Sequence, residues 1–387
     1  MYTLKHTSKQ KKNLLMFVAL SLGSVSVIAG CGTNAAASNP APANTPSPAS
    51  SASSSVIPVT VPLSTLIAKA KAEGTVHGFG MPSNWANLGS MWTNFQKKYG
   101  IKTLYQAEGN MSSGQELQTF QSEKNHPVGD VGDIGISFGP TAVKMGVVAP
   151  FKNKYWSQIP ANLKDPGGHW AAAYYGVTAF EINTNKVKNV PTTWADLLKP
   201  QYKGMIGFAD PRQAAVSLDA VIAAAYAFGG SVNNIEPGLK FFAKLKKIGN
   251  WTGANYSTAA MQTGQIDIGI TWNYLAEGDQ KQFAGKPSIK VVVPSDGAVA
   301  GPYVEVVNKY APHPYAARLL NTYLFSNAGQ ISYAEGGAYP VRLPYLKLPK
   351  SVQLPPLNRK SVHFLSGNLS KAQSAILNGW GPQVLGQ

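Results

Sequence analysis

The pentapeptide Gly135-Ile136-Ser137-Phe138-Gly139 has the spacing G-x-S-x-G, which in α/β hydrolases sets a nucleophilic serine on a sharp strand-to-helix turn. An acid and a histidine would have to follow, and His313 and His363 stand in the required order. Two features argue against that chemistry. Glycine and serine are common at such turns for backbone reasons alone, and nothing upstream resembles a glycine-rich oxyanion loop. A secreted serine hydrolase acting through Ser137 is therefore the rival reading, and Ser137 is taken as a hydrogen-bonding residue of a pocket. His77, His126, His169, His313 and His363 stand singly, without metal-ligand spacing, so no metal site, no cofactor and no enzymatic activity are expected.

The stretch Gln265-Ile266-Asp267-Ile268-Gly269-Ile270-Thr271-Trp272-Asn273-Tyr274 alternates apolar and small or polar residues with the period of a strand. It follows a helical run over 256–264, with Ser257 placed to cap it and Gly264 to stop it. A helix feeding a strand is half of a βαβ unit, and open α/β sheets gather ligand groups just past the carboxyl ends of their strands. That point falls on Trp272, Asn273 and Tyr274. A plain core ring at Trp272 fits the same pattern.

Other elements must hold this stretch in place. The sequence predicts a helix over 63–72, a strand over 75–80 running into a loop that ends at Trp85, and a helix over 87–99 with Leu88, Met91, Trp92 and Phe95 as its apolar stripe. A second strand is predicted over 103–106. A capping box from Ser113 to Glu116 then opens a helix; ordinary capping explains the motif without a ligand, and a ligand site lined by its free N–H groups is the alternative. Residues 130–137 and 170–180 read as strands, the second long enough to leave one lobe for another. Asp210-Pro211-Arg212 leads into an alanine-rich helix over 213–228, interrupted only by Asp219 and expected to be buried on most sides. Further on come a strand over 290–293, a helix over 314–327, a loop carrying Tyr339 and Arg342, and a proline-rich tail that turns helical near 370–378.

The first 28 residues carry Lys5, Lys9, Lys11 and Lys12 before an apolar run too short for a comfortable membrane span, which is the pattern of a secretory signal. Ile28-Ala29-Gly30-Cys31 resembles the bacterial lipobox, in which the peptide is cut before a cysteine whose sulfur receives a diacylglycerol. Cys31 is the only cysteine of the 387 residues, so no intrachain disulfide can form and lipidation accounts for it. Residues 32–56 are almost wholly alanine, serine, proline, threonine and asparagine, a composition that cannot bury enough apolar surface to order itself. A flexible tether between a lipid anchor and a folded body is expected.

The net charge of +16 includes the four signal lysines, leaving +12 from Cys31 onward. The remaining lysines are dispersed, apart from Lys244, Lys246 and Lys247 on a solvated helix face, so nucleic acid is rejected as a partner. The chain is instead poor in carboxylates: 13% of its residues are charged, against about 25% in ordinary proteins, and only 18 are acidic. A fold with few native carboxylate partners has less stability to lose in acid, and an acidic working medium is expected.

Taken in order, Trp194-Ala195-Asp196-Leu197 with Tyr202-Lys203-Gly204, the Asp210-Pro211 turn, Gly264-Gln265-Ile266-Asp267-Ile268-Gly269, Ala311-Pro312-His313-Pro314, and Gly329-Gln330 before Tyr339-Pro340-Val341 resemble an extracellular solute-binding protein of an ATP-driven importer. The likeness covers roughly residues 60–345. It implies an α/β chain with the two-lobed type-2 periplasmic-binding-protein fold, joined by two crossing strands near 175–180 and 292–305, whose lobes close over a solute by hinge motion. The implied domains are a lipoprotein signal peptide over 1–30, a lipid-anchored linker over 31–58, lobe 1 over 59–177, lobe 2 over 178–298, and the rest of lobe 1 with the tail over 299–387. The implied partners are a small solute and a membrane ABC permease. The protein would be monomeric and held at the cell membrane, outside the cytoplasm, by its lipid.

The resemblance leaves three solute classes open. Polyamine binders hold an amine with an aromatic-x-acid pair, which Tyr303-Val304-Glu305 resembles, and Trp272 sits where an aromatic ring would stack on the alkylamine. Asp210 and Glu335 are the other pocket-loop acids, so a singly charged amine suits better than a long polyamine. Ferric-ion binders use adjacent tyrosines, where this chain has Asn273-Tyr274-Leu275. A phosphonate would use the helix starts after Ser113, Ser137 and Asp210 together with Arg212 and Arg342. The expected contacts are Trp85, Ser137, Asp210, Trp272, Tyr303, Glu305 and Tyr339, with amine ranked first.

Overall fold

Periodicity is converted into burial as expected where a helix has one wet face. The helix Leu88–Tyr99 buries Leu88, Met91, Trp92 and Phe95, and Gly100 ends it in the left-handed region. The helix Thr258–Thr263 starts at Ser257, whose side chain accepts from the Ala260 N–H, and stops at left-handed Gly264. The alanine-rich helix Ala215–Ala227 is buried on nearly every side, Asp219 included. The computed structural model describes residues 57–105, 111–358 and 360–387; the expected signal segment, Cys31 and nearly all of the expected linker lie outside the described residues.

The strands, in chain order, are β1 Thr75–Phe79, β2 Lys102–Tyr105, β3 Val131–Gly135, β4 Val148–Ala149, β5 Ala171–Asn183, β6 Ile206–Gly207, β7 Ile268–Trp272, β8 Ile289–Val292, β9 Ala298–Asn308, β10 Tyr339–Pro340 and β11 Val362–Phe364. Their main path runs β2-β1-β3-β9-β5-β7-β6. One half is built on β1, parallel to β2 and β3, with β9 antiparallel to β3. The other half is built on β7, parallel to β6 and antiparallel to β5. β5 joins them without a break: Ala171–Val177 pairs with β9, and Thr178 onward pairs with β7 and β8. The chain returns from β8 to β9 through residues 293–297, so both expected crossings are present.

The return crossing, expected as a strand near 292–305, is a strand of 11 residues, all buried. Two local expectations change. The capping box lies one residue earlier than expected: Gln115 Oε1 accepts from the Ser112 N–H and hydroxyl, and Ser113 Oγ accepts from the Gly135 N–H. β7 spans five residues, and all are buried despite their alternation, because both of its faces are covered.

The tail makes a further connection. β11 pairs with β9, and the Gly367 N–H donates to Asn162 O beside the first half of the sheet. The helix Ser370–Gly379 and the turn Trp380–Leu385 then continue to the second half. There Trp380 is fully buried among Phe208, Phe242 and Trp251, and Leu385 O accepts from Lys246.

Candidate functional site

The two halves of the sheet face each other across a cleft of about 350 Å³. From the first half come Gly80, Pro82 and Trp85, then Ser113, Gln115 and Glu116 at a helix start, and Asp133 in the middle of β3; from the second come Asp210, Gln213, Val216, Tyr256, Thr271 and Leu275. Tyr303, on the crossing strand β9, belongs to the lining as well. The walls touch at the rim, where the Gly114 N–H donates to Gln213 O at 3.1 Å.

Two carboxyls form the inner wall. Glu116, the residue after the true capping box, turns inward and accepts from the Asp133 N–H at 3.0 Å. Gly80 makes room for it: its φ is +65°, and a Cβ there would collide with the Glu116 carboxyl. Asp133 Oδ2 accepts from Tyr174 Oη at 2.6 Å, and Tyr174 Oη accepts from Trp85 Nε1. Asp133 Oδ1 has no protein partner. Burial drives both carboxyls well above the carboxylate range, with Glu305 raising Asp133 further and the Tyr174 hydrogen bond pulling it back.

The expected contacts separate into two groups. Trp85, Asp210 and Tyr303 line the cleft. Asp210 is engaged by Arg212, whose Nη2 lies 2.6 Å from Oδ2, so the cation of that loop is spent on its own neighbour. Trp85 meets Tyr274 and Tyr303 edge to face, with ring centroids 5.4 and 5.2 Å apart.

Trp272, Ser137, Glu305 and Tyr339 are not among the lining residues. Trp272 is fully buried behind Tyr303, to whose hydroxyl its Nε1 donates at 3.4 Å, so the core-ring alternative describes it. Ser137 sits in the turn Ile136–Phe138, 1% exposed and with no partner for its hydroxyl. Neither histidine of the hydrolase reading bonds to it: His313 is held by Asp130 and His363 stacks on Tyr226. Glu305 lies directly across the ladder from Asp133 but lines a separate small cavity of about 10 Å³, accepts from Tyr333 Oη at 2.8 Å, and is pushed by burial up to about 8. Tyr339 stacks on Tyr175 and donates to Pro355 O, lining a separate cavity of about 360 Å³.

Sequence reasoning passed over Glu116 and Asp133 as functional acids. Glu116 was absorbed by a capping motif that fits equally well one residue earlier, and Asp133 by the alternation of a strand. No lysine, arginine or histidine lines the cleft among the described residues. Nor do three or more histidine, cysteine or acidic groups converge on a metal position among them.

The profile of the family described as bacterial extracellular solute-binding protein matches residues 129–368. An uncharacterized protein of Haemophilus influenzae is 28% identical over 220 residues, 52% of this chain and 59% of that relative, so the match spans under two thirds of its length. A periplasmic protein of Salmonella typhimurium that carries a provisional name as a 2-aminoethylphosphonate binder is 25% identical over 260 residues, 64% of this chain and 72% of that one. Among solved structures, the periplasmic binding protein AfuA of Actinobacillus pleuropneumoniae, with fructose-6-phosphate bound, aligns at a TM-score of 0.63 and 20% identity over 80% of this chain and 98% of its own. The spermidine/putrescine transporter protein PotD of Streptococcus pneumoniae aligns at 0.55 and 16% over 80% and 98%. At these identities the structural matches speak for the two-lobed fold alone.

Proposed function

The chain belongs to the bacterial extracellular solute-binding proteins, and from that premise we propose that it captures a small solute bearing an ammonium group and delivers it to a membrane importer. The observation that carries this is the charge of the cleft: Glu116 and Asp133 on its inner wall, and no lining cation among the described residues. A buried carboxyl is costly to ionise alone, and an ammonium between the two offsets that cost through charge-assisted hydrogen bonds. Trp85 and Tyr303 supply ring faces and edges for the carbon chain and cation. The amine partners in this reading are Glu116 and Asp133; Glu305, which the sequence favoured, lies behind them.

A solute with an anionic tail fits the same cleft. The helices Ser113–Ser122 and Ala215–Ala227 both begin on its wall, and helix starts favour negative charge. The provisional name of the Salmonella relative supports an aminophosphonate over a long polyamine. In this reading Cys31 carries the lipid, the chain acts as a monomer without a cofactor, and the lobes close without catalysis. In this reading the domain limits are those expected from the sequence, and the segment around Trp380 packs on lobe 2.

A thermal-shift panel of 2-aminoethylphosphonate, putrescine, amino acids and ferric citrate tests the proposal. Stabilisation by a primary amine supports it. Stabilisation by ferric citrate alone, or ester hydrolysis abolished by Ser137→Ala, contradicts it.

A further inference from the structure

The inner wall of the cleft carries a hydrogen-bond chain whose direction is set by its first member. An indole N–H can only donate, so Tyr174 Oη accepts from Trp85 Nε1, and the single phenolic proton goes to Asp133 Oδ2. Oδ2 is thereby fixed as an acceptor. Oδ1 is left without a protein partner on a residue that is 1% exposed and lines the cleft. Tyr174 itself is held firmly, stacked between Tyr303 and Tyr333 at 5.6 and 4.3 Å on the crossing strand β5.

We infer that Tyr174 is a positioning residue for solute capture: it pins Oδ2 of Asp133 and leaves Oδ1 as the carboxyl atom that meets the ammonium. The inference rests on the amine reading proposed above. The groups facing Asp133 are Glu116 from the helix Ser113–Ser122, Glu305 and Tyr303 from β9, Tyr333 from the helix Asn327–Glu335, Tyr274 from the helix Asn273–Phe283, and Tyr174. None is a cation, and burial raises Asp133 well above its ordinary value, so the carboxyl favours its protonated form; with Oδ2 taken, that proton sits on Oδ1. When an ammonium docks, the Oδ1–H bond breaks and its proton leaves to solvent. The ammonium keeps its three N–H bonds and donates one to the carboxylate. Capture is thus coupled to release of a proton, and Tyr174, by favouring the charged carboxylate, sets the pH at which it becomes efficient. Because Tyr174 rides on β5, the same residue ties the solute's head group to the hinge.

Calorimetric titration with 2-aminoethylphosphonate and with putrescine, each in two buffers of different protonation enthalpy, tests this on the wild type, Tyr174→Phe, Asp133→Asn and the double variant. The expected result is net proton release when the wild type binds an amine, diminishing as pH rises, and binding without any proton release overturns the coupling. Tyr174→Phe keeps the ring stack, loses roughly tenfold in affinity and moves the pH midpoint of binding upward, with no further loss on top of Asp133→Asn. Trp85→Phe, which removes the donor that orients Tyr174, gives a smaller shift of the same sign and decides the matter if Tyr174→Phe does not fold. Wild-type affinity and pH midpoint in Tyr174→Phe, or losses additive with Asp133→Asn, overturn the role of Tyr174 alone. Failure of the wild type to bind either amine overturns the amine reading.

Discussion

Gly176 and Gly301 stand opposite each other where the two crossing strands pair, and Trp272 packs against both. A Cβ on Gly301 would collide with the Trp272 ring and the Asp219 carboxyl, and one on Gly176 would collide with Tyr274. The crossing is a close approach of backbone to a buried indole, which gives Trp272 its place beneath the cleft.

Gly301→Ala is therefore expected to destabilise the protein by about 1–3 kcal/mol through overpacking, since a fully buried ring cannot swing aside. Chemical denaturation measures it. A change below about 0.5 kcal/mol would show that the crossing relaxes around an added methyl group.

Asp133→Asn is expected to weaken amine binding by about 1.5–3 kcal/mol, the usual worth of a hydrogen bond to a charged group. Glu305→Gln is expected to leave affinity nearly unchanged at neutral pH, because Glu305 is off the cleft and its carboxyl, at about 8, is still protonated there. Equal losses in the two variants would return Glu305 to the binding site.

The buried acids also set a pH dependence. Glu305 and Glu181, whose folded values are raised to about 8 and about 9, hold protons that the unfolded chain releases near the ordinary value of 4.5. Their stabilisation is full below that value and is lost as pH rises toward 8 and 9. Asp133, Glu116 and Asp219 are shifted in the same direction by burial. The protein without solute should melt at a higher temperature at pH 5 than at pH 8, and Glu305→Gln should flatten the slope. A melting temperature that rises between pH 5 and pH 8 would contradict this.

Trp380→Ala is expected to cost about 3–5 kcal/mol, as for other large-to-small changes in a core, because the ring closes the cluster of Phe208, Phe242 and Trp251 and anchors the tail to the second half of the sheet. Urea denaturation measures it. Unchanged stability would make the tail helix a passive appendage.

What the sequence made legible was local. Ser257 and Gly264 bracket a helix by capping and by left-handed backbone, and the Leu88, Met91, Trp92, Phe95 stripe marks a buried face, all within a few residues. What it hid was non-local. Ser112-x-x-Gln115 and Ser113-x-x-Glu116 fit the capping pattern equally, and only the N–H of Asp133, 17 residues away, draws Glu116 inward. Alternation in β7 says nothing of exposure once both faces are covered. Tyr303 and Glu305 alternate to one side of β9, yet Tyr303 reaches the cleft while Glu305 is drawn behind Asp133 by Tyr333, a contact made by a distant helix.

The central claim, that the cleft selects a cation, is tested most directly by calorimetric titration of the intact protein with 2-aminoethylphosphonate and putrescine beside ethylphosphonate, which lacks the amine. The account predicts saturable binding of at least one of the amines and at least roughly tenfold weaker binding of ethylphosphonate, the loss of one charge-assisted hydrogen bond. Ethylphosphonate bound as tightly as either amine, or in place of both, would contradict it.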